Sequence, residues 1–177
     1  MDKLTAINTL DEFSHNGRYV FHLRDFGKLF PDESDRALKA SIKRLVENGI
    51  LTRAVYGVYV YNRAMQDGYI LEHIVRTLRR GEYSYISLES ALSQYGIISQ
   101  IPIDRLTVMT TGRSGEYKTP WGVIELTHTS RSVSDILSGT IQTKNPIRFA
   151  TKKTAVRDLL RVGRNTHLID HAELNHV

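Results

Sequence analysis

The 177-residue chain contains no cysteine, and this absence excludes several classes of protein. Disulfide frameworks, thiolate zinc sites, iron–sulfur clusters and cysteine nucleophiles all need that residue. Long apolar runs are missing too, since no stretch approaches the roughly 18 apolar residues of a membrane span. The first residues also lack the basic start and apolar run of a secretory signal. We therefore expect a cytoplasmic protein without a membrane partner.

Charge of one sign is not concentrated anywhere in the chain. The formal net charge is +5, with 24% charged and 41% hydrophobic residues, which is typical of a globular protein. Residues 1–63 carry 10 Lys and Arg against 8 Asp and Glu, and residues 64–177 carry 14 against 11. Neither half is a basic tail, so binding to a polyanion requires a local arrangement of charge.

Residues 1–63 contain predicted elements in the order of a winged helix-turn-helix domain. Apolar periodicity, cap residues and β-branched runs predict helices Leu4–His15, His22–Phe30 and Asp35–Asn48 and strands Ile50–Val55 and Gly57–Tyr61. Ser34 is the expected N-cap of the third helix, and Val20-Phe21 is a short extended entry to the second. The alternative interpretation is a small α+β lobe that shares this order.

The third predicted helix has two contrasting faces. Leu38, Ile42 and Leu45 form an apolar stripe, joined by Val46. The other side carries the residues that we predict to contact DNA: Arg36, Lys39, Ala40, Lys43 and Arg44. A helix in the major groove needs such a buried stripe and an outer face of Arg and Lys, and a small alanine permits close approach. The alternative is the ordinary solvated face of a surface helix.

Other cations are placed where they can add to such an interface. We expect Arg53 and Tyr56 of the hairpin to touch DNA, and Arg18, Arg24 and Lys28 to bind flanking phosphates. Late in the chain, basic residues recur at three- and four-residue steps and so share one helix face: Lys153, Arg157, Arg161 and Arg164. That second surface suits a DNA backbone, RNA or an acidic partner, or it is simply solvated.

Residues 64–177 are predicted to form a small mixed α/β domain, which makes the whole chain α+β. The expected elements are helices Tyr69–Arg80, Leu88–Tyr95 and Thr154–Val162, strands Thr107–Thr110, Val123–His128 and Ile147–Ala150, and one or two helical turns after Leu168. Ser87 is a plausible cap for the second of these helices. A turn-rich segment, Thr111–Gly122, separates two of the strands.

At the start of that segment, Thr110–Gly115 (TTGRSG) contains two glycines, and its backbone N–H groups can cradle a phosphate. The chain lacks the full nucleotide-binding loop pattern here, so a hairpin turn is the simpler interpretation. We expect no metal or other cofactor and no enzymatic activity. His167 and His171 are four residues apart but stand near the chain end, where a metal site is improbable.

Three stretches carry a family resemblance. They are Tyr85–Pro102 (YISLESALSQYGIISQIP), Thr107–Thr129 (TVMTTGRSGEYKTPWGVIELTHT) and Phe149–Asp170 (FATKKTAVRDLLRVGRNTHLID). In this order and spacing they resemble the AbiEi family, the antitoxins of type IV, abortive-infection toxin–antitoxin systems. One departure is Thr151–Thr154 (TKKT), where the family resemblance leads us to expect a proline and an acidic residue.

The resemblance implies a function in two parts. The N-terminal domain would bind double-stranded operator DNA, with inverted repeats as the expected target, and repress its own operon. The C-terminal domain would counteract a nucleotidyltransferase-like toxin. The alternatives are a stand-alone winged-helix regulator without a toxin partner and, more remotely, a nucleic-acid enzyme built around Arg113 and the histidines. The oligomeric state stays open.

Overall fold

The computed structural model describes residues 1–98 and 103–169, and within them the chain forms seven α-helices and two β-sheets. The fold class is α+β, as predicted. The chain divides into two compact units, Met1–Ile70 and Leu71–Val177, called unit 1 and unit 2 below. The boundary expected at residue 63 lies in the segment after the last strand of unit 1. In the described ranges, no helix combines the length and apolarity needed to cross a membrane.

Unit 1 begins with helices whose first turns are defined by capping side chains. Its first elements are α1 (Lys3–His15), β1 (Val20–His22), α2 (Leu23–Leu29) and α3 (Asp35–Glu47). The Ser34 hydroxyl accepts a hydrogen bond from the Ala37 N–H and caps α3, as predicted. At α2, His22 and Asp25 cap each other's backbone N–H groups reciprocally.

A hairpin and one further strand complete unit 1. The hairpin strands are β2 (Leu51–Val55) and β3 (Val58–Tyr61), and the sheet is antiparallel with the order β1–β3–β2. Tyr56-Gly57 forms the turn, as predicted, and Gly57 has a φ of +75°, which glycine adopts without steric strain. The predicted extended entry at Val20-Phe21 is therefore an edge strand paired with β3.

The core of unit 1 holds α3 by its apolar stripe. Leu38, Ile42 and Leu45 are buried, and Val46 is half-buried. Aromatic rings of β1 and α2 are buried in the same unit, with the centroids of Phe21 and Phe26 5.8 Å apart. Since α3 turns by about 100° per residue, burying this stripe leaves the opposite side in solvent.

Unit 2 contains one mixed sheet and four helices in its described part. In chain order its elements are α4 (Ile70–Leu78), β4 (Ser84–Ile86), α5 (Leu88–Gln94), β5 (Arg105–Thr110), β6 (Gly115–Thr119), β7 (Gly122–His128), α6 (Val133–Ser138), β8 (Thr140–Ile141), β9 (Arg148–Ala150) and α7 (Lys152–Val162). A short 3-10 helix, Thr166–Leu168, follows. The helical turns expected further on fall from residue 170 outside the described residues.

The six strands lie in the order β6–β7–β5–β4–β9–β8. The pairs β5–β7 and β4–β9 are parallel, and the other neighbours are antiparallel. The sequence did not reveal β4, β6, β8 or α6. Strands of two or three residues are too short for an alternating pattern, and β6 (GEYKT) carries mostly polar or small residues. The three strands depend on their neighbours in the sheet, and α6, with six residues, is too short to show a clear helical period.

Asp158 of α7 forms a buried polar centre in unit 2. Its carboxylate is fully buried and accepts hydrogen bonds from the Tyr85 hydroxyl (3.0 Å), the Ser87 hydroxyl (2.8 Å) and the Arg131 guanidinium (3.3 Å). Burial, together with the adjacent carboxylate, raises the pKa of Tyr85, so its hydroxyl stays protonated and donates. These bonds connect β4 and α7 with the segment after β7.

The starts of α5 and α7 differ from the sequence-based expectation. Ser87 was expected to cap α5, but its hydroxyl makes no capping bond because it donates to Asp158. At α7, Thr151 accepts a hydrogen bond from the Thr154 N–H and caps the helix, which therefore begins at Lys152 and not at Thr154. The unexpected TKKT sequence thus supplies its own cap.

We predict that Asp158→Asn lowers the free energy of unfolding by about 3 kcal/mol, because removing one partner of a buried ion pair leaves the other charge uncompensated. Urea unfolding of the full-length protein measures this loss. Asp135→Asn, in the first turn of α6, is the matched control and should cost less than about 1 kcal/mol. Equal stabilities of the two variants would contradict the structural role of Asp158.

Candidate nucleic-acid interface

The outer side of α3 carries the predicted contact residues in exposed positions. We call the basic residues Arg36, Lys39, Lys43 and Arg44 the cationic face; all four are exposed, as is Ala40. Ser34 and Asn48 bound the helix at its two ends. The same helical periodicity therefore buries the apolar stripe of α3 and exposes its cationic face.

The hairpin contributes Arg53 and Tyr56, both exposed. Tyr56 stands at the turn with 85% of its surface accessible, and the Arg53 guanidinium lies over its ring, 5.2 Å from the centroid. A stacked guanidinium loses little freedom on binding, since its plane is already oriented by the ring. The pair forms a semi-rigid, cationic and aromatic tip.

Helix and hairpin meet at one concave surface, which we call the helix–hairpin groove. It has a volume of about 340 Å³ and is lined by Leu23, Lys39, Ile42, Lys43, Val46, Arg53, Tyr56, Gly57 and Tyr59. Four of the seven predicted contact residues therefore line the same groove. Of the others, Arg36 and Ala40 lie on the exposed side of α3, while Arg44 is about 140° round the helix from Lys39.

The charges of this region are weakly compensated. Lys43 pairs with Glu47 at 3.7 Å, but both side chains are exposed, and such pairs contribute little. Arg44 donates to the Ser41 hydroxyl at 2.8 Å, a neutral acceptor. Among the described residues, no carboxylate forms an ion pair with Arg36, Lys39 or Arg53. The region therefore presents a net positive charge to an approaching ligand.

The three predicted flanking cations have different environments. Arg24 and Lys28 are exposed on α2, four residues apart and so on one face. Arg18 instead forms an ion pair with the buried Asp25 at 2.8 Å and lies over the rings of Phe13 and Phe21. The Arg18 side chain is 43% exposed, but the ion pair and the two rings hold its guanidinium against unit 1, which makes it a structural residue.

The basic residues of α7 also separate into two groups. Lys153, Arg157 and Arg161 are exposed at four-residue steps and share a face, as predicted. Arg164 was expected on that face, but this was wrong because α7 ends at Val162. The Arg164 guanidinium forms ion pairs with Glu89 and Glu125.

The TTGRSG segment is not the turn of a hairpin, which corrects the simpler interpretation. It connects β5 to β6, and each of these strands pairs with β7 and not with the other. It offers carbonyl groups to its neighbours: Arg79 donates to the Arg113 oxygen at 2.9 Å, and the His128 ring contacts the Gly112 oxygen at 2.9 Å. The Gly112 N–H is bonded to the Thr110 hydroxyl. These two carbonyl groups and the Gly112 N–H are engaged within unit 2, and the alternative, phosphate binding by the segment, stays a prediction.

Comparison with known proteins gives a distant likeness in fold. No protein-family model and no curated protein matches this chain. Among solved structures, the crystal structure of the Rv2827c protein from Mycobacterium tuberculosis is similar, with a TM-score of 0.50 and 12% sequence identity. The match covers 76% of this chain and 48% of that one, so this chain spans about half the length of that protein. At this identity the likeness concerns the fold alone, and the resemblance to AbiEi stays a prediction.

If Arg18 is structural, Arg18→Ala should lower the free energy of unfolding by about 1.5 kcal/mol, because the buried Asp25 carboxylate loses a charged hydrogen-bond donor. Urea denaturation measures the change. Arg24→Ala removes an exposed cation of the same type and should stay within about 0.5 kcal/mol of the wild type. A loss in Arg24→Ala as large as that in Arg18→Ala would contradict the assignment.

Proposed function

We propose that this protein is a sequence-specific DNA-binding regulator and that unit 1 acts as a winged helix-turn-helix domain. The observation that carries the proposal is the helix–hairpin groove, where Lys39 and Lys43 of α3 meet Arg53 and Tyr56 of the hairpin. Cations of α3 and of the hairpin converge on one surface. The apolar stripe of α3 packs in the core and holds the helix in this position. Such a surface suits double-stranded DNA, a polyanion whose major groove admits an α-helix.

The order of elements in unit 1 supports the same proposal. α2, a five-residue connection and α3 form the helix-turn-helix, and β2 and β3 form the wing. Proteins of this class place the second helix of the motif in the major groove, which is about 12 Å wide and admits an α-helix. In that placement α3 is the recognition helix.

The side chains divide the work by their chemistry. Arg36 and Arg44 have the planar fork that pairs bidentately with guanine, and Ala40 leaves room for a base edge. Lys39 and Lys43 neutralise phosphates, which gives affinity without sequence information. Arg53 and Tyr56 at the wing touch the backbone or the minor groove. Arg24 and Lys28 are suited to flanking phosphates, and no role on DNA is proposed for Arg18.

The biological role rests on the sequence resemblance and is proposed on that basis. As an AbiEi-like antitoxin, the protein represses its own operon through unit 1 and counteracts a nucleotidyltransferase-like toxin through unit 2, without itself being an enzyme. Lys153 and Arg161, two exposed cations of α7, are available for the backbone of DNA or for such a partner, whereas Arg157 also lies 4.0 Å from the Asp158 carboxylate. The second candidate is a stand-alone regulator with no toxin partner.

Charge reversal in the groove tests DNA binding. We expect Lys39→Glu/Lys43→Glu to reduce affinity for the upstream DNA of the gene at least about a hundredfold, since each reversal removes a phosphate contact and adds repulsion. Fluorescence anisotropy over a salt series measures affinity and slope. Lys118→Glu/Lys144→Glu in unit 2 changes net charge equally and is the matched control. Equal losses of affinity in both double variants would mean that binding depends only on overall charge, and would contradict a specific role of the groove.

The same variant separates the two proposed activities. If toxin antagonism resides in unit 2, full-length Lys39→Glu/Lys43→Glu should still rescue growth when co-expressed with a nucleotidyltransferase-like neighbour from an unrelated promoter, although it no longer represses the native promoter. Colony counts and a reporter fusion measure the two effects. No rescue by the wild-type protein under that promoter would remove the antitoxin role and favour the stand-alone regulator.

A further inference from the structure

A second concave site lies in unit 2, apart from the elements of the DNA interface. We call it the arginine pocket, after its four basic lining residues Arg76, Arg79, Arg80 and Arg148. Its volume is about 300 Å³, at the small end of the range for ligand sites. Of the lining residues, all of which the structure describes, only Glu82 is acidic. The positive charges of these arginines repel one another unless an anion binds between them.

Arg79 and Arg148 are oriented by neutral groups, which leave their charge in place. Arg148 donates from Nε to the Thr140 hydroxyl at 2.7 Å, and from Nη2 to the carbonyl oxygens of Thr140 (2.8 Å) and Leu137 (3.3 Å). Arg76 is exposed. Within the described part of the chain, neither Arg76, Arg79 nor Arg148 forms an ion pair with a carboxylate.

Arg79 is held most firmly of the four. It donates from Nη2 to the Arg113 carbonyl oxygen at 2.9 Å and to the Tyr117 hydroxyl at 2.8 Å, and its guanidinium lies 5.3 Å from the centre of the Tyr117 ring. Gly112 makes this position available, because a Cβ there would stand 2.9 Å from the Arg79 Cδ. The glycine of TTGRSG and the ring of β6 therefore place one cation at the pocket.

We propose that the arginine pocket binds the phosphoryl groups of a small phosphorylated ligand. The exposed Arg76 can offer its planar guanidinium fork to phosphate oxygens, and such charge-assisted bonds are among the strongest in proteins. Arg79 and Arg148 donate several N–H groups to protein oxygens and contribute mainly their positive charge. The concave shape and the volume fit a di- or triphosphate better than the convex backbone of a duplex. The Ser84 hydroxyl and the Gln142 amide, also in the lining, supply neutral hydrogen bonds to such an anion.

The test uses the full-length protein and inorganic pyrophosphate, with ATP and adenosine as further arms, in isothermal titration calorimetry at low salt. We expect saturable binding of pyrophosphate and ATP at one site and none of adenosine, which lacks the phosphates. ATP binding without pyrophosphate binding would mean that the nucleoside, and not the phosphoryl group, is recognised, and would overturn the proposal. So would the absence of saturable pyrophosphate binding up to about 1 mM, the weak limit of a useful site.

Three variants locate the site. Arg76→Gln removes an exposed cation and should weaken pyrophosphate about tenfold, the effect of one charge-assisted contact. Gly112→Ala displaces Arg79 without changing net charge and should also weaken binding, with folding checked by circular dichroism. Lys118→Gln, an exposed cation of β6 outside the pocket, should change affinity less than about twofold. Unchanged affinity in Arg76→Gln and Gly112→Ala, or an equal loss in Lys118→Gln, would show that the pocket is not the site.

Discussion

The burial of Leu38, Ile42 and Leu45 is the constraint on which the candidate DNA interface depends. These side chains attach α3 to the core of unit 1, and the helical period then directs the cationic face to solvent. The turn at Tyr56-Gly57 brings Arg53 and the Tyr56 ring to the same side, where both line the groove with Lys39 and Lys43. An apolar interaction thus determines where the charges are presented.

Unit 2 is organised around buried polar groups. The Asp158 carboxylate is satisfied by the Tyr85 and Ser87 hydroxyls and by Arg131, so α7 is tied to β4 and to the segment after β7. Close by in sequence, Arg164 pairs with Glu89 and Glu125 and fixes the chain after α7. Because a half-satisfied polar group is costly in an interior, such networks require each member to be in place. Of the exposed cations of α7, Arg157 touches the first network, with its Nε 4.0 Å from an Asp158 carboxylate oxygen.

The contrast between Arg164 and Arg148 shows how the same residue type serves two purposes. Arg164 meets carboxylates, so its charge is neutralised inside the unit. Among the residues that the structure describes, Arg148 donates to hydroxyl and carbonyl oxygens alone, which fix its direction and leave its charge unneutralised. Arg18 follows the first pattern in unit 1, where Asp25 and two aromatic rings hold it. Partner chemistry, and not exposure alone, separates structural arginines from those available to a ligand.

The sequence by itself determined the elements with strong local signals: the three helices of unit 1, the cap at Ser34, the turn at Tyr56-Gly57, and the two faces of α3. Their periodicity, caps and turn residues act within a few positions of each other. Only the tertiary structure decided the strands β4, β6 and β8, the donation of the Ser87 hydroxyl to Asp158, and the partners of Arg18 and Arg164. It alone also joined Arg79 to Tyr117 and Gly112, more than 30 residues later in the chain. The physical reason is that most of these features depend on contacts between residues far apart in sequence, which leave no periodic trace along the chain. The partners of β6 and Arg18 are near in sequence, in β7 and at Asp25, but no apolar period marks those contacts.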